Sequence, residues 1–237
     1  GDTMKKLVVI ITILILFIPK VNASTSSASS YILMDSTTGR VLMSKDMHSK
    51  RLIASITKIM TATLAIESGK LNDVVEVSPI IKEAYGSGIY IEVGEEITLK
   101  DLVYGLMLRS GNDAAMMISE YIGGTTEEFV NMMNKKAKEL GMKETTFYNP
   151  SGLPTPSGNY SSVYDMALLT KYAMNSPVYQ EIVKTKTYKV TTNKKTYLWH
   201  NKNKLLKYDY ITGGKTGYTE ESGRTLVSTA NIDNMPL

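Results

Sequence analysis

The chain has 237 residues, 43% of them hydrophobic, which suits one domain or one domain with an inserted subdomain. Its formal charge of +4, from 27 basic and 23 acidic residues, includes no basic stripe interleaved with aromatics, so no nucleic-acid partner is expected. There is no cysteine and there are only two histidines, His48 and His200, far apart; this excludes disulfides, thiol chemistry and thiolate metal sites, and no metal or other cofactor is expected.

Gly1-Asp2-Thr3 precedes Met4 and reads as a scar at 1–3. Lys5-Lys6, an apolar run from Leu7 to Ile18, Pro19 and Val21-Asn22-Ala23 have the charged, apolar and small-residue parts of a secretory signal peptide over 4–23, cleaved after Ala23. As a membrane anchor, the same run would span about 18 Å of helix against a bilayer core of roughly 30 Å. The mature chain is therefore expected to be secreted and extracytoplasmic, with no membrane attachment encoded after cleavage. Ser24 to Ser30 reads as a flexible leader.

Tyr31 to Asp35 and Arg40 to Ser44 are short apolar runs joined by Ser36-Thr37-Thr38-Gly39, a hairpin signal. A polar link leads to the apolar run Ile56 to Ile66, which reads as a helix broken by Glu67-Ser68-Gly69. Asn72 to Glu76 and Ile89 to Ile97 predict short strands, with Gly86-Ser87-Gly88 as a loop between them. Thr98 reads as the N-cap of a helix with Leu102, Val103, Leu106, Met107 and Leu108 on one face. Ala114 to Ile122, Thr126 to Leu140 and Asp165 to Asn175 predict further helices, and Pro150 to Tyr160 a turn-rich loop. Tyr188 to Thr192, Thr196 to His200, the Gly213 to Gly217 segment and Thr225 to Ala230 predict strands. Strands first, helices in the middle and strands last imply one antiparallel sheet built from both chain ends, with a helical region at about 55–185 inserted between them.

Ser55-Ile-Thr-Lys58 is the only S-x-x-K in the chain, and it stands at the start of the apolar run. On a helix, residues i and i+3 share a face, so the Lys58 amine can reach the Ser55 hydroxyl. A lysine can take a serine proton only if burial and nearby positive charge lower its pKa. Taken alone, the motif is weak, and a buried helix with a snorkelling lysine is the commoner explanation. Ser110-Gly111-Asn112 and Lys215-Thr216-Gly217 follow it in order. The three are chemically complementary: Ser55 and Lys58 supply nucleophile and base, Ser110 can relay a proton, Asn112 can hold a substrate amide, and Lys215 and Thr216 suit a carboxylate. Gly213, Gly214 and Gly217 leave room for a peptide along that strand. A second Ser-x-Asn, Ser157-Gly158-Asn159, lies in a Pro/Gly/Ser loop with nothing to fix its rotamers, whereas Ser110 sits between two apolar helices, so Ser110 is preferred.

The trio resembles the motif set of penicillin-binding proteins and class A β-lactamases. Longer stretches narrow it: Ala54 to Ala62, Asp101 to Ala115, Asn149-Pro-Ser-Gly-Leu153, Tyr160 to Ala167, Asn201 to Leu206 and Gly214 to Thr219. From about Ser30 to the end, the chain resembles the low-molecular-mass penicillin-binding proteins, the serine D-Ala-D-Ala carboxypeptidases (peptidase S11-like). The resemblance implies an α/β (α+β), β-lactamase/transpeptidase-like catalytic domain over 31–237. It implies Ser55 as the acylated nucleophile, Lys58 as its base, and Ser110 with Lys215 as the proton relay. Asn112, Lys215, Thr216, Gly217 and Tyr218 would bind substrate, and the backbone N–H groups of Ser55 and Tyr218 would form the oxyanion hole. The implied partners are peptidoglycan stem peptides ending in D-Ala-D-Ala and β-lactam antibiotics, on the cell-wall side of a bacterial membrane.

Ile53 stands where the family often has proline, and Ser151 and Asn159 where histidine is common; none is expected to touch the chemistry. In the family a further strand and helix follow the position of Leu237, so the domain is expected to lack its last strand and helix. A class A β-lactamase would need a water-activating glutamate in an E-x-x-L-N loop, which is absent, and Gly111 replaces the aspartate of the S-D-N form. A protein that holds cell-wall peptide or β-lactam without turnover would keep the same residues. A Ser-His-Asp hydrolase using His200 is the remotest reading, because no G-x-S-x-G elbow surrounds any serine.

Overall fold

The structure, a computed structural model, describes residues 26–154 and 156–237. The expected scar (1–3) and signal peptide (4–23) lie outside the described residues.

The chain begins with an antiparallel hairpin, β1 (Tyr31–Met34) and β2 (Val41–Lys45). Its turn is closed by Asp35, whose carboxylate accepts the N–H of Thr37 at 2.9 Å and the hydroxyl of Thr38 at 2.7 Å. After β3 (Arg51–Leu52) and a 3₁₀ turn (Ala54–Thr57) comes α1 (Lys58–Glu67), whose residues from Lys58 to Ala65 are all buried. A helix buried on every side, its Thr61 and Thr63 hydroxyls bonded to the Pro150 and Ile59 carbonyls, belongs in the middle of a core. It contacts all five other described helices: α2 (Leu99–Arg109), α3 (Asn112–Gly123), α4 (Thr126–Glu139), α5 (Val163–Ala173) and α6 (Pro177–Lys184). Whatever stands at its first turn is therefore held in the dry interior.

Local chemistry sets the helix ends. The Thr98 hydroxyl accepts the N–H of Asp101 at the start of α2, Thr125 caps α4, and Ser162 caps α5 in the same way. Helix α6 is absent from the sequence-based expectation, although Ser176 capping the N–H of Tyr179 and Pro177 in the first turn are its start signal. Short pairs brace the helical layer: β4 (Val74–Glu76) with β5 (Glu96–Thr98), and β3 with β6 (Tyr160–Ser161). The hairpin β7 (Thr187–Thr191) and β8 (Thr196–His200) turns Val190, Tyr197 and Trp199 into the core.

The last strands are β9 (Ile211–Thr219), β10 (Gly223–Ile232) and β11 (Met235–Pro236), in the order β11-β10-β9. The expected antiparallel strands from both chain ends are present, and the fold is mixed α/β. They form two ladders, however, instead of one continuous sheet, joined by a backbone bond from the Ser36 N–H to the Pro236 carbonyl at 2.9 Å. The cause is local: β11 pairs with β10 only at Asn231 and Ile232, so among the described residues no strand lies along the rest of that edge. A second difference concerns Ile89 to Ile97, expected as a strand. Only Glu96 and Ile97 of that segment join a ladder, because the N–H groups of Ile89 and Tyr90 go to the Asp113 carboxylate.

Candidate active site

Ser55 lies in the 3₁₀ turn, and Lys58 is the first residue of α1. In a 3₁₀ turn, residues i and i+3 eclipse, which brings Lys58 Nζ to 3.2 Å from Ser55 Oγ. The turn is strained at its first residue: Ala54 has φ +48°, in the left-handed region that costs a side-chain-bearing residue on the order of 1–3 kcal/mol. Such strain is retained where surrounding packing fixes it, and here it aims the serine out of the helix start.

Lys58 is fully buried. Its Nζ also donates to Asn112 Oδ1 at 2.7 Å and to the backbone oxygen of Ser151 at 2.5 Å. Burial pushes the amine well below its ordinary pKa; the positive charges of Lys215 and Lys202 add to this, and Asp113 opposes it. These conditions suit an amine that must accept a proton.

Ser110 ends α2 in the left-handed conformation, φ +63°, and Gly111 leads directly into α3. The bend between the two helices thus presents Ser110 and Asn112 on the same side. Lys215 Nζ donates to Ser110 Oγ at 3.1 Å. Asn112 has both ends of its carboxamide engaged: Oδ1 accepts from Lys58, and Nδ2 donates to the Tyr85 carbonyl at 2.6 Å. Asp113 ties down the loop above it by accepting the N–H groups of Ile89 at 3.0 Å and Tyr90 at 2.7 Å.

Strand β9 forms the opposite wall. Lys215 is 2% exposed, and burial beside Lys202 brings its pKa down to about 7. Its amine also donates to the Thr216 carbonyl at 2.6 Å. Thr216 and Gly217 are part-buried, whereas Tyr218 projects outward and is 63% exposed. Gly217 is required for close approach: a Cβ there would lie 2.9 Å from Ser55 N and 2.4 Å from Thr225 Oγ1. Thr225 in turn donates to the Ile53 carbonyl at 3.0 Å, locking β10 to the turn that carries the serine.

Ser55, Lys58, Ser110, Asn112, Lys215 and Gly217 thus meet at the junction of the 3₁₀ turn, the α2–α3 bend and β9, and Thr216 and Tyr218 lie beside them on β9, with Tyr218 facing outward. Two expectations need correction. Ser151 does touch this cluster, through its backbone oxygen on Lys58. Asn159 is 1% exposed and far from rotamer-free: its Oδ1 accepts the N–H groups of Tyr148 and Asn149, and its Nδ2 donates to Thr57 Oγ1 and the Asn149 carbonyl. This alternative Ser-x-Asn thus braces the site from behind without touching Ser55 or Lys58. His200 sits at the end of a hairpin beside Thr187 Oγ1, at 3.1 Å, with no serine or carboxylate among its hydrogen-bond partners. Sequence reasoning also missed Asp113 and Asn149, whose roles lie in backbone contacts; the stretches containing them offered the only signal. Among the described residues, no group of three or more His, Asp or Glu side chains could hold a metal ion.

A serine beside a buried amine of lowered pKa, faced by a second lysine–serine pair and a strand edge, defines a serine–lysine acyl-transfer site. The chain belongs to the peptidase S11 family, D-alanyl-D-alanine carboxypeptidase, which it matches over residues 19–237. The D-alanyl-D-alanine carboxypeptidase DacF of Bacillus subtilis is 44% identical over 219 residues, covering 88% of this chain and 55% of that one. Among solved structures, the D-alanyl-D-alanine carboxypeptidase of Mycobacterium tuberculosis superposes with a TM-score of 0.85 at 30% identity, over 88% of this chain and 80% of the other. A single-site mutant of a Streptomyces DD-transpeptidase gives a TM-score of 0.85 at 29% identity, over 90% and 88%. The fold is thus the β-lactamase/transpeptidase-like one of the DD-peptidases. The chain spans about half the length of the curated carboxypeptidase relatives it matches.

Proposed function

We propose that this chain is the catalytic part, over 31–237, of a serine D-Ala-D-Ala carboxypeptidase that removes the terminal D-alanine from peptidoglycan stem peptides through an acyl-enzyme on Ser55. The observation that carries this reading is the 3.2 Å contact between Ser55 Oγ and the buried, charge-crowded amine of Lys58.

The neutral Lys58 amine takes the Ser55 proton as Oγ attacks the carbonyl of the penultimate D-alanine. The resulting oxyanion lies between the backbone N–H groups of Ser55 and Tyr218. As the peptide bond breaks, the leaving amine takes a proton from the Ser110 hydroxyl, which is replenished by the Lys215 ammonium at 3.1 Å. Lys215 and Thr216 hold the terminal carboxylate, and the substrate runs along β9 past Gly217 and Tyr218. Asn112 receives the substrate amide by exchanging its bond to the Tyr85 carbonyl. The Lys58 ammonium then gives up its proton as the Lys215 ammonium is restored, and the neutral amine takes a proton from the water that attacks the ester and returns it to Ser55 Oγ as the acyl group leaves. β-Lactams acylate the same serine. The enzyme acts outside the cytoplasm after signal cleavage, and nucleic acid is not a partner.

The test is the intact mass of the protein after incubation with benzylpenicillin, beside Ser55→Ala, together with D-alanine release from a peptide ending in D-Ala-D-Ala. A persistent adduct that requires Ser55, with D-alanine released, is the expected result. An adduct without release would indicate a binding protein, and consumed drug without an adduct a β-lactamase.

A further inference from the structure

We propose that Asn149 is a positioning residue for the base: it turns the Ser151 carbonyl onto Lys58 and so aims the amine's lone pair at Ser55. This rests on the reading of Ser55 and Lys58 given above.

A neutral amine has two N–H bonds and one lone pair. Lys58 Nζ has three oxygen neighbours: the Ser151 carbonyl at 2.5 Å, Asn112 Oδ1 at 2.7 Å and Ser55 Oγ at 3.2 Å. The first two can only accept hydrogen bonds, whereas the serine hydroxyl can donate. If both acceptors are filled by the two N–H bonds, the lone pair is left facing the Ser55 hydroxyl. Remove one acceptor, and an N–H can turn to Ser55 Oγ, which is the wrong polarity for proton abstraction.

A backbone carbonyl turned inward leaves neighbouring N–H groups that need partners of their own. Asn149 supplies them. Its Oδ1 accepts the N–H of Gly152 at 2.7 Å, and both the N–H and the hydroxyl of Ser151 at 3.1 Å. Its Nδ2 donates to the carbonyls of Leu153 at 2.8 Å and Ser157 at 3.1 Å. The wound loop then packs on the strained turn: Gly152 has φ +86°, and a Cβ there would lie 2.0 Å from the Ala54 carbonyl oxygen. One carboxamide thus fixes a carbonyl that meets a lysine 93 residues away in sequence.

The experiment measures second-order acylation by a fluorescent penicillin from pH 5 to pH 10 for the parent, Asn149→Ala and Asn149→Asp, with thermal denaturation of each. Asn149→Ala is expected to lower the plateau rate by about 10- to 100-fold. Its acid limb should also move to lower pH, because the lost carbonyl acceptor no longer favours the ammonium. The groups that shape this limb, Lys215, Lys202 and Asp113, are unchanged in both variants. Asn149→Asp keeps the acceptor for Ser151 and Gly152 but sets a carboxylate oxygen against the Leu153 and Ser157 carbonyls, so it should recover only part of the lost rate, and its negative charge should move the acid limb to higher pH than in Asn149→Ala. A rate loss that merely follows lost stability, with the acid limb unmoved, overturns the proposal, as does an unchanged rate. If Asn149→Ala does not fold, Asn149→Ser, whose uncharged hydroxyl oxygen can accept from the same N–H groups, decides: a folded Ser variant that loses rate only as it loses stability, its acid limb unmoved, refutes the assignment. A parent that is not acylated at all removes the functional reading, and this inference with it, whereas a labelled parent with unmoved variants removes only the inference.

Discussion

Lys215 Nζ donates a 3.1 Å hydrogen bond to Ser110 Oγ, joining strand β9 to the α2–α3 bend across 105 residues of sequence. Both side chains are nearly inaccessible, at 2% and 6% exposed, so the contact is shielded from competing water. Ser110 makes it from a left-handed backbone, φ +63°, where glycine would be at ease. Strain and function therefore meet at one residue.

Two substitutions separate them. Ser110→Ala and Ser110→Gly both delete the hydroxyl, and each should slow acylation by about 10²- to 10⁴-fold, the usual range for a positioned proton donor. Only glycine relieves the backbone, so Ser110→Gly should be more stable than Ser110→Ala by about 1 kcal/mol. Chemical denaturation of the two variants checks this. Equal stability would mean that the left-handed bend costs nothing.

Lys215 also makes stability depend on pH. Burial brings its pKa from 10.5 down to about 7, and Lys58 is lowered in the same direction. Between those values the unfolded chain holds protons that the folded chain has released, so stability rises with pH by up to about 1.4 kcal/mol per pH unit for each such group. Above pH 10 the sign reverses, because Tyr104, Tyr179, Tyr188 and Tyr197, their pKa values raised, stay protonated in the fold. Urea denaturation at intervals from pH 7 to pH 9.5 should show this rise. Lys215→Met should be the more stable protein at pH 7 and show a shallower slope.

How much of this was legible in the sequence depends on how each contact is made. Ser55 with Lys58, Ser110 with Asn112, and Lys215 to Tyr218 were readable because side chains carry their chemistry at fixed spacings. The loop from Asn149 to Asn159 was misjudged because its contribution is a backbone oxygen that meets a lysine 93 residues away, while Asn159 braces Thr57 across 102 residues. Ile89 to Ile97 resembled a strand because Ile89, Ile91 and Ile97 are indeed buried in alternation, yet Asp113 takes the N–H groups a ladder would need. Helix α6 had a readable cap and proline, but it is only eight residues long. The strain at Ala54 and Ser110 has no sequence signature, since neither position is glycine or asparagine.

Asp113 predicts a loop that can be set free. Its carboxylate takes the Ile89 and Tyr90 N–H groups, and charged acceptors of this kind contribute about 1.5–3 kcal/mol each. Asp113→Ala should open the 84–90 segment, bringing faster chymotryptic cleavage at the exposed Tyr85 and Tyr90, by about tenfold or more. Because Asn112 Nδ2 is bonded to the Tyr85 carbonyl, acylation should fall in the same variant. Mass analysis of a timed digest identifies the cut. Unchanged cleavage would show that the loop is held by its apolar contacts.

Gly217 sets how closely β9 approaches the nucleophile. A methyl group at 217 would stand 2.9 Å from Ser55 N, 3.2 Å from Ile56 N and 2.4 Å from Thr225 Oγ1, so something must move. If Thr225 rotates away, its 3.0 Å bond to the Ile53 carbonyl is lost and the turn is released. If β9 withdraws instead, the strand leaves the N–H of Ser55. Either way the reacting groups separate by a fraction of an ångström or more, and Gly217→Ala should acylate more slowly by about 10²-fold. Adding Thr225→Ala to Gly217→Ala removes one of the two collisions and leaves the one with Ser55 N. The double variant is relieved of the closer collision but still lacks the bond to the Ile53 carbonyl, so it should regain only part of the stability and part of the rate, as measured by denaturation and by penicillin labelling. Full recovery in the double variant would assign the effect to Thr225 alone, and wild-type labelling by Gly217→Ala would show that the approach of β9 does not limit acylation.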